Sequence, residues 1–384
     1  GRPVIDTEPM HFGRCDVGFY CQWKSCRFLF GLISSSSGLE PVDIHPQQTI
    51  CLVSITKKTN DIKNTISLRG PYNSLQSFND GKNKKPNLIK IEDVFGWNES
   101  ASLPLLPSPS SLEIFCQIRK SPWLSINKAG EWRARPDGEL HATAQKPLFD
   151  FSEEQPKNFW PVYKGESFNI WNPDTHLYNA WADPNKVLDW LQEKRLRAFK
   201  SSRDSVHKEY SEEFINKKAT LSPNKCRIAF RDITNRTNTR TVIACLIPPK
   251  VFITNTGPVI QFPRGDEKDE AYLLGILCSI PLDWYARRFV EKHVNFFIFN
   301  PFPIPRPNRN NQLWKRLVEL SGRLASIDHR FSDWATKVGV DYGGLTVDEK
   351  NEKIYEIDAL AAHLYGLTKN QLIHIYETFH HGWD

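Results

Sequence analysis

Residues 226–249 read CRIAFRDITNRTNTRTVIACLIPP, and this stretch decides the predicted fold. Its apolar residues recur at every second position on both sides of a polar centre, which is the period of β-strands. The pattern predicts a hairpin whose connector, residues 232–239, has about eight residues. In the first strand, Ile228 and Phe230 share one face with Cys226, and the other face has Arg227 and Arg231. A third strand is predicted at 250–254.

Helices are predicted on both sides of the hairpin. Apolar residues at helical spacing indicate one helix through Leu188 and Phe199 and a second over 269–290, which Pro281 bends or restarts. Alternate prolines over 301–307 impose an extended segment. Gly366 ends a later amphipathic helix, and Thr368 with Gln371 forms a capping box for the last one. The C-terminal part is therefore predicted to be helical.

The N-terminal part is predicted to be α/β. A helix-compatible stretch runs through Phe28 and Phe30, and residues 49–55 are apolar almost throughout, as in a strand buried on both faces. Residues 58–87 are rich in Lys, Asn, Ser and Gly, which indicates an exposed linker and a domain boundary. Overall, the sequence predicts an α/β or α+β fold with a mixed sheet.

Charge is concentrated in one segment. The net charge is only +6, but residues 194–250 contain fourteen Lys and Arg against five Asp and Glu. A local basic surface is the electrostatic footprint of phosphate binding, although a solvated helix face would have the same composition. No apolar run is long enough for a membrane helix and no signal sequence is evident, so we expect a cytoplasmic protein.

Several kinds of site are not evident in the sequence. There is no glycine-rich cofactor turn, no phosphate-binding lysine loop, no nucleophile elbow and no zinc helix. The spacing of Cys15, Cys21 and Cys26 matches no common zinc pair. We therefore predict neither a catalytic residue nor a metal site. The chain begins at Gly1 and its only methionine is Met10, so we expect a neighbouring domain or chain.

The hairpin sequence resembles the core of the target-recognition region in large adenine-N6 DNA methyltransferases. These include fused type IIG restriction-modification enzymes and methylases of phage-defence islands. Three further stretches resemble the same family in the same order, and they are residues 161–166, residues 271–299 leading into Pro303-Ile-Pro-Arg306, and residues 357–368. Residues 42–55 are more faintly similar to a late strand of the methylase domain.

The resemblance implies a domain arrangement and a partner. Residues 1–87 would be the end of a methylase-like α/β domain plus a linker, residues 88–300 the target-recognition domain, and residues 301–384 a helical region. The family's cofactor loop and catalytic loop would precede Gly1. The implied partners are double-stranded DNA and a methylase domain or subunit that binds S-adenosylmethionine, while this chain binds no cofactor itself.

Residue chemistry then gives candidates for DNA contacts. Arg suits guanine edges and Asn suits adenine edges. The base-reading candidates are Arg227, Arg231, Asn235, Arg236, Asn238 and Arg240. The phosphate candidates are Lys194, Arg195, Arg197, Lys200 and Arg203.

Three alternatives remain open. The polar connector is also compatible with a surface turn that bonds its own backbone, and Arg231 with a carboxylate partner that holds the hairpin. Trp160, Trp171 and Trp181 fit either a protein core or a surface that brackets displaced DNA. The whole chain is also compatible with a non-catalytic structural subunit of a defence complex, or with an independent nuclease.

Overall fold

The computed structural model describes residues 26–34, 49–57, 65–72, 75–97, 103–106, 108–201, 203–235, 238–290 and 292–380. The chain divides into two compact units, one of residues 1–113 with 380–384 and one of residues 114–379. Each unit combines helices with sheet, and the described strands form no closed barrel, so the predicted mixed α/β class is confirmed. The predicted domain boundaries at residues 87 and 300 stay a prediction. Residues 114–300 and 301–379 belong to the same compact unit.

The first unit contains one four-stranded sheet of order β2-β1-β3-β4. Strands β1 and β2 are antiparallel, β1 and β3 are parallel, and β3 and β4 are antiparallel. Its elements are β1 (Cys26–Ser34), β2 (Thr49–Lys57), β3 (Thr65–Tyr72), α1 (Leu75–Gly81), β4 (Asn87–Lys90) and α2 (Ile91–Trp97). Helix α3 (Pro109–Arg119) begins here and continues into the second unit.

Two predictions for this unit are wrong. The stretch through Phe28 and Phe30 is strand β1, because it pairs with β2 at nine consecutive positions and this pairing outweighs a local helical pattern. The predicted linker at 58–87 contains β3 and α1. Its polar composition conceals two alternate apolar residues, Ile66 and Leu68, which are both buried.

The second unit contains two sheets. One has three strands in the order β10-β6-β7, and the other has four in the order β5-β11-β8-β9, all antiparallel. The strands are β5 (Arg133–Asp137), β6 (Trp160–Tyr163), β7 (Ala180–Ala182), β8 (Arg227–Phe230), β9 (Ala244–Ile247), β10 (Phe252–Ile253) and β11 (Val259–Arg264). The predicted hairpin is confirmed as β8 and β9, with Arg227 opposite Ile247 and Phe230 opposite Ala244.

The predicted third strand also exists, but in the other sheet. Only Phe252 and Ile253 of the predicted 250–254 stretch are in β10, which runs parallel to β6. The chain therefore leaves the hairpin and crosses to the second sheet. The connection between β8 and β9, residues 231–243, is longer than the predicted eight residues and is called the 231–243 loop below.

The helices of the second unit pack on its sheets and on one another. They are α4 (Pro184–Ser201), α5 (Glu212–Asn216), α6 (Glu267–Leu277), α7 (Ile280–Ala286), α8 (Phe296–Phe299), α9 (Gln312–Ala325), α10 (Ser332–Val338), α11 (Val347–Leu364) and α12 (Lys369–Glu377). Helix α4 packs against the three-stranded sheet, and α6 packs against β8 and β9. Helices α6 and α9 approach so closely that a Cβ atom on Gly275 would overlap the Ser321 hydroxyl. None of the helices in the described part of the chain is long and apolar enough to cross a bilayer.

The predicted helix boundaries in this unit are confirmed. Pro281 lies in the first turn of α7 and separates it from α6. Gly366 follows α11 with a φ of 69°, a conformation that favours glycine. Thr368 and Gln371 form the predicted capping box of α12. The helical C-terminal part is thus built as the sequence predicts.

Candidate nucleic-acid interface

The base of the 231–243 loop is fixed by one carboxylate, that of Asp283 on α7. Asp283 is fully buried. Its Oδ1 accepts the backbone N–H groups of Thr241 and Val242 at 3.0 and 3.1 Å, and its Oδ2 accepts Arg240 Nε at 2.5 Å. A buried carboxylate that receives several donors holds its partners in one arrangement. The side of the loop that enters β9 is therefore immobilised on α7.

A residue at the C-terminal end of α7 holds the part of the loop that directly precedes Arg240. Arg287, fully buried, donates through Nη2 to the carbonyl oxygens of Asn238 at 2.5 Å and Thr239 at 2.9 Å. Its guanidinium lies over the Phe379 ring with 4.0 Å to the centroid. These contacts use the backbone carbonyl groups of Asn238 and Thr239 and not their side chains.

Arg240 has a structural role in this arrangement. Its side chain is 16% exposed and also donates through Nη2 to the Cys278 carbonyl oxygen at 2.5 Å. Desolvation lowers the pKa of Arg240 and the Asp283 charge raises it, and the net direction is upward. The guanidinium therefore stays charged and directed into the protein. Sequence analysis placed it among the base readers, and its partner on α7 excludes that role in this structure.

Arg227 is also removed from the base-reading candidates. It is 1% exposed and forms a two-point ion pair with Glu139, with Nε–Oε1 at 2.7 Å and Nη2–Oε2 at 2.9 Å. Its Nη2 also donates to the Val251 carbonyl oxygen at 3.0 Å. Alternation predicted an exposed face for Arg227, but every residue of β8 is buried because this face is covered too. Arg227 therefore joins elements within the core.

Arg231 lies half-buried at the start of the loop. Its Nε donates to the Phe168 carbonyl oxygen at 3.1 Å, and its Nη2 donates to the same atom. Burial lowers the pKa of Arg231. The carboxylate partner considered from sequence is absent among the described residues, since the bonds of this guanidinium go to a carbonyl. The Glu166 carboxylate acts on this guanidinium only beyond ion-pair distance.

The tip of the loop presents amides. The backbone N–H of Asn238 donates to the Asn235 carbonyl oxygen at 3.1 Å, and Asn238 is exposed. Asn235 is half-buried and has a partner of its own. Arg236, the remaining base-reading candidate, lies outside the described residues. Of the six candidates, the structure therefore brings Asn235 and Asn238 together at one turn.

The structure adds two residues that sequence analysis missed, Lys292 and His293. The N–H of Thr234 donates to the Lys292 carbonyl oxygen at 3.0 Å, and His293 Nδ1 lies 2.9 Å from Asp232 Oδ2. Both residues are exposed. This short segment thus extends the edge of the 231–243 loop. The sequence gives little signal for them, because they follow a stretch that already contains Arg287 and Arg288.

The phosphate candidates on α4 separate into two groups. Arg195 is 4% exposed and donates to Thr220 Oγ1 at 2.9 Å and to the Lys217 carbonyl oxygen at 2.8 Å. Lys194 is half-buried and donates to the carbonyl oxygens of Gly138 and Glu139. Both side chains hold neighbouring segments. These two predicted phosphate contacts are therefore replaced by structural contacts in this structure.

The other three cations are exposed, and we call them the α4 cations. They are Arg197 and Lys200 on α4 and Arg203, which lies two residues beyond its end. Arg197 is 65% exposed and 3.8 Å from Glu193, which is a weak surface pair. Arg197 and Lys200 lie three residues apart on the helix and so share one face. In the described part of the chain, neither Lys200 nor Arg203 has an ion-pair partner.

The three tryptophans belong to the packed interior and its edge. Trp171 is 3% exposed, and Trp160 stacks on Phe252 with ring centroids 5.2 Å apart. Trp181 donates its indole N–H to the Ser152 carbonyl oxygen at 3.1 Å. These contacts favour the core interpretation. Among the described residues, no group of three metal-ligating side chains is present, and Cys15 and Cys21 lie outside them.

Comparisons with known proteins find distant structural similarity only. No family model and no curated protein matches this chain. Among solved structures it is similar to the type IIL restriction-modification enzyme MmeI in complex with DNA, with 12% identity, a TM-score of 0.43, and coverage of 93% of this chain and 46% of that chain. It is also similar to the type IIG restriction endonuclease BpuSI, with 12% identity, a TM-score of 0.35, and coverage of 90% and 44%. The chain thus spans less than half the length of either enzyme.

Proposed function

We propose that this chain recognises a specific duplex DNA sequence on behalf of an adenine-N6 DNA methyltransferase of a restriction-modification or phage-defence system. The observation that supports this most directly is the 231–243 loop, whose tip presents Asn235 and Asn238 while α7 fixes its base through Asp283. Reading a base edge requires donor and acceptor pairs in a fixed position, and an asparagine amide offers both to adenine.

The segments that resemble the methyltransferase family are bonded to one another. Arg240 in the hairpin pairs with Asp283 in the 271–299 segment. Asp358 in the 357–368 segment accepts the N–H of Ile280, the first residue of α7, at 2.8 Å. Both contacts involve α7, which holds the 231–243 loop. We infer that these segments act together to hold the 231–243 loop in one position.

Positive charge at two places suits a DNA partner. The α4 cations are exposed on one short stretch, and Arg231 and Lys292 flank the loop. Contacts of this kind with phosphates set position and affinity without reading sequence, while the amides at the tip give specificity. Methyl transfer and the binding of S-adenosylmethionine would belong to a methylase domain or subunit outside this chain.

Enrichment of duplexes from a random pool tests the proposal. Purified protein is incubated with random double-stranded DNA, and bound duplexes are amplified and sequenced over several rounds, in moderate salt so that non-specific binding is suppressed. We expect one short motif to emerge and a labelled duplex that contains it to be bound at least tenfold more tightly than its scrambled version. Binding with no enriched motif would contradict the proposal.

A further inference from the structure

A groove of about 730 Å³ opens in the second unit, between the ends of three segments. It is lined by residues of 130–132, by the end of β11 with the start of α6, and by 306–310 after the proline-rich segment. Its volume is in the range of sites that bind small molecules or nucleotide-sized groups. The side chains used below are Trp132, Arg264, Asp269, Arg306 and Arg309.

Two guanidinium groups in this groove have only neutral partners. Arg264 donates to the Asn127 amide oxygen and to the Lys128 carbonyl oxygen. Arg306 donates to the carbonyl oxygens of Trp132 at 2.8 Å and Leu124 at 3.1 Å. Neither has an ion-pair partner within the described ranges. The carboxylates of Glu131 and Asp269, which also line the groove, act on Arg306 only beyond ion-pair distance.

Arg306 is held rigidly. Its guanidinium lies over the Trp132 ring with 3.4 Å to the centroid, and its Nε is buried without a hydrogen-bond partner. Burial lowers the pKa of Arg306 to about 10, so the group remains charged at neutral pH although it has lost part of its hydration. A fixed, partly desolvated cation gains more from an anionic ligand than a solvated one.

Arg309 is the third cation of the groove and differs from the other two. It pairs with Asp266 at 2.8 Å and with the fully buried Asp269, and its side chain is half exposed. This triad has a net charge of −1 and orders the floor. Glu131, which also lines the groove, is paired with Lys128 at 2.7 Å. With Arg264 and Arg306 the groove therefore has a net positive charge of one, and the ligand that this arrangement suits is singly charged and able to accept several N–H donors.

We propose that this groove holds one phosphodiester unit of the bound DNA, with Arg264 and Arg306 as its donors. A phosphate oxygen pair matches the fork of a guanidinium. The inference rests on the proposed DNA-binding function. It adds a third contact with DNA, at residues separate in sequence from the 231–243 loop and the α4 cations. It names residues that no charge-rich stretch of the sequence indicates.

The salt dependence of duplex binding tests the inference. Affinity of the full chain for a labelled duplex is measured across a salt series for the wild type, Arg264→Gln and Arg264→Lys. Lys369→Gln, an exposed cation on α12, is the matched control. Arg264 is chosen because its partners lie at the surface, whereas Arg306 also holds the backbone at Leu124 and Trp132. Thermal unfolding verifies that each variant is folded.

We expect Arg264→Gln to weaken binding about five- to tenfold at low salt and to reduce the slope of log affinity against log salt by about 0.9. Arg264→Lys should retain the slope, and Lys369→Gln should match the wild type. A folded Arg264→Gln protein with wild-type affinity and slope would overturn the inference while the proposed function stands. A wild type that binds no duplex would overturn both.

A free mononucleotide distinguishes the source of the phosphate. Adenosine monophosphate is titrated calorimetrically into the wild type and Arg264→Gln. We expect no difference between the two proteins at millimolar concentrations, because one phosphodiester contact gains its strength from the rest of the bound duplex. Binding to the wild type that Arg264→Gln abolishes, with unchanged duplex binding, would identify a small-molecule site and overturn the inference.

Discussion

Arg240 on the 231–243 loop and Asp283 on α7 form an ion pair with 2.5 Å between Nε and Oδ2. The same carboxylate accepts the backbone N–H groups of Thr241 and Val242. The pair joins positions 43 residues apart. A loop that would otherwise be a flexible polar connector is thereby fixed at its base. Presentation of its tip depends on this relationship.

Removal of the Asp283 carboxylate tests this dependence. We expect Asp283→Ala to lower the free energy of unfolding by about 3–5 kcal/mol, because it leaves the Arg240 charge without its counter-ion and two buried backbone donors without an acceptor. Urea denaturation measures the change. Asp333→Ala is the control, since that side chain is 87% exposed and its loss should cost less than about 1 kcal/mol. Equal effects of the two substitutions would refute the structural role of Asp283.

The carboxyl of Glu270 predicts a pH-dependent stability. Burial raises the pKa of Glu270 from 4.5 to about 7, with Lys225 and the indole N–H of Trp334 opposing the shift. Since the folded-state pKa is raised, the stabilisation is complete below about pH 4.5 and is lost as the pH rises through about 7. At pH 8 the folded protein contains a buried charge.

Glu270→Gln should therefore raise the free energy of unfolding by about 2–3 kcal/mol at pH 8 and leave it nearly unchanged near pH 4.5. The glutamine oxygen can still accept the Trp334 indole N–H. Denaturation at the two pH values gives both numbers, with the exposed Glu377→Gln as control. A variant that is equally stable to the wild type at both pH values would show that Glu270 does not titrate as described.

The α4 cations predict loss of affinity without loss of specificity. Replacement of all three, Arg197, Lys200 and Arg203, by Gln should weaken binding to every duplex alike and reduce the salt slope by about 0.9 for each lost phosphate contact. A triple variant at Lys120, Lys315 and Lys369, exposed cations elsewhere, controls for net charge. An unchanged slope in the triple variant would assign these residues to a solvated helix face.

The sequence was informative where local pattern determines structure. The period of two predicted β8 and β9, and Pro281 and Gly366 predicted where helices restart and end, because these effects act over a few residues. The sequence was misleading where contacts with residues distant in the chain determine the local structure. The pairing of β1 with β2 turned a helical pattern at Phe28 and Phe30 into a strand.

The same limit explains the site. The Arg227 side chain bonds to Glu139, which is 88 residues away in the sequence. The His293 ring contacts Asp232, which is 61 residues away. No local pattern predicts such contacts. The sequence therefore favours a base-reading role for Arg227, which is in the core, and gives no indication of His293. Residue type predicted which side chains could contact DNA, whereas tertiary contacts determined which of them are accessible.

The central claim is that the tip of the 231–243 loop reads base edges, and a binding-site selection on Asn238→Ala beside the wild type tests it most directly. Asn238 is exposed, and the loop base binds only its backbone. We predict that the variant loses preference at one base position, worth about 1–3 kcal/mol, and keeps its affinity for random duplex. A folded Asn238→Ala protein that enriches the wild-type motif at full strength would contradict the claim for this residue, and the same result with Asn235→Ala would contradict it for the loop.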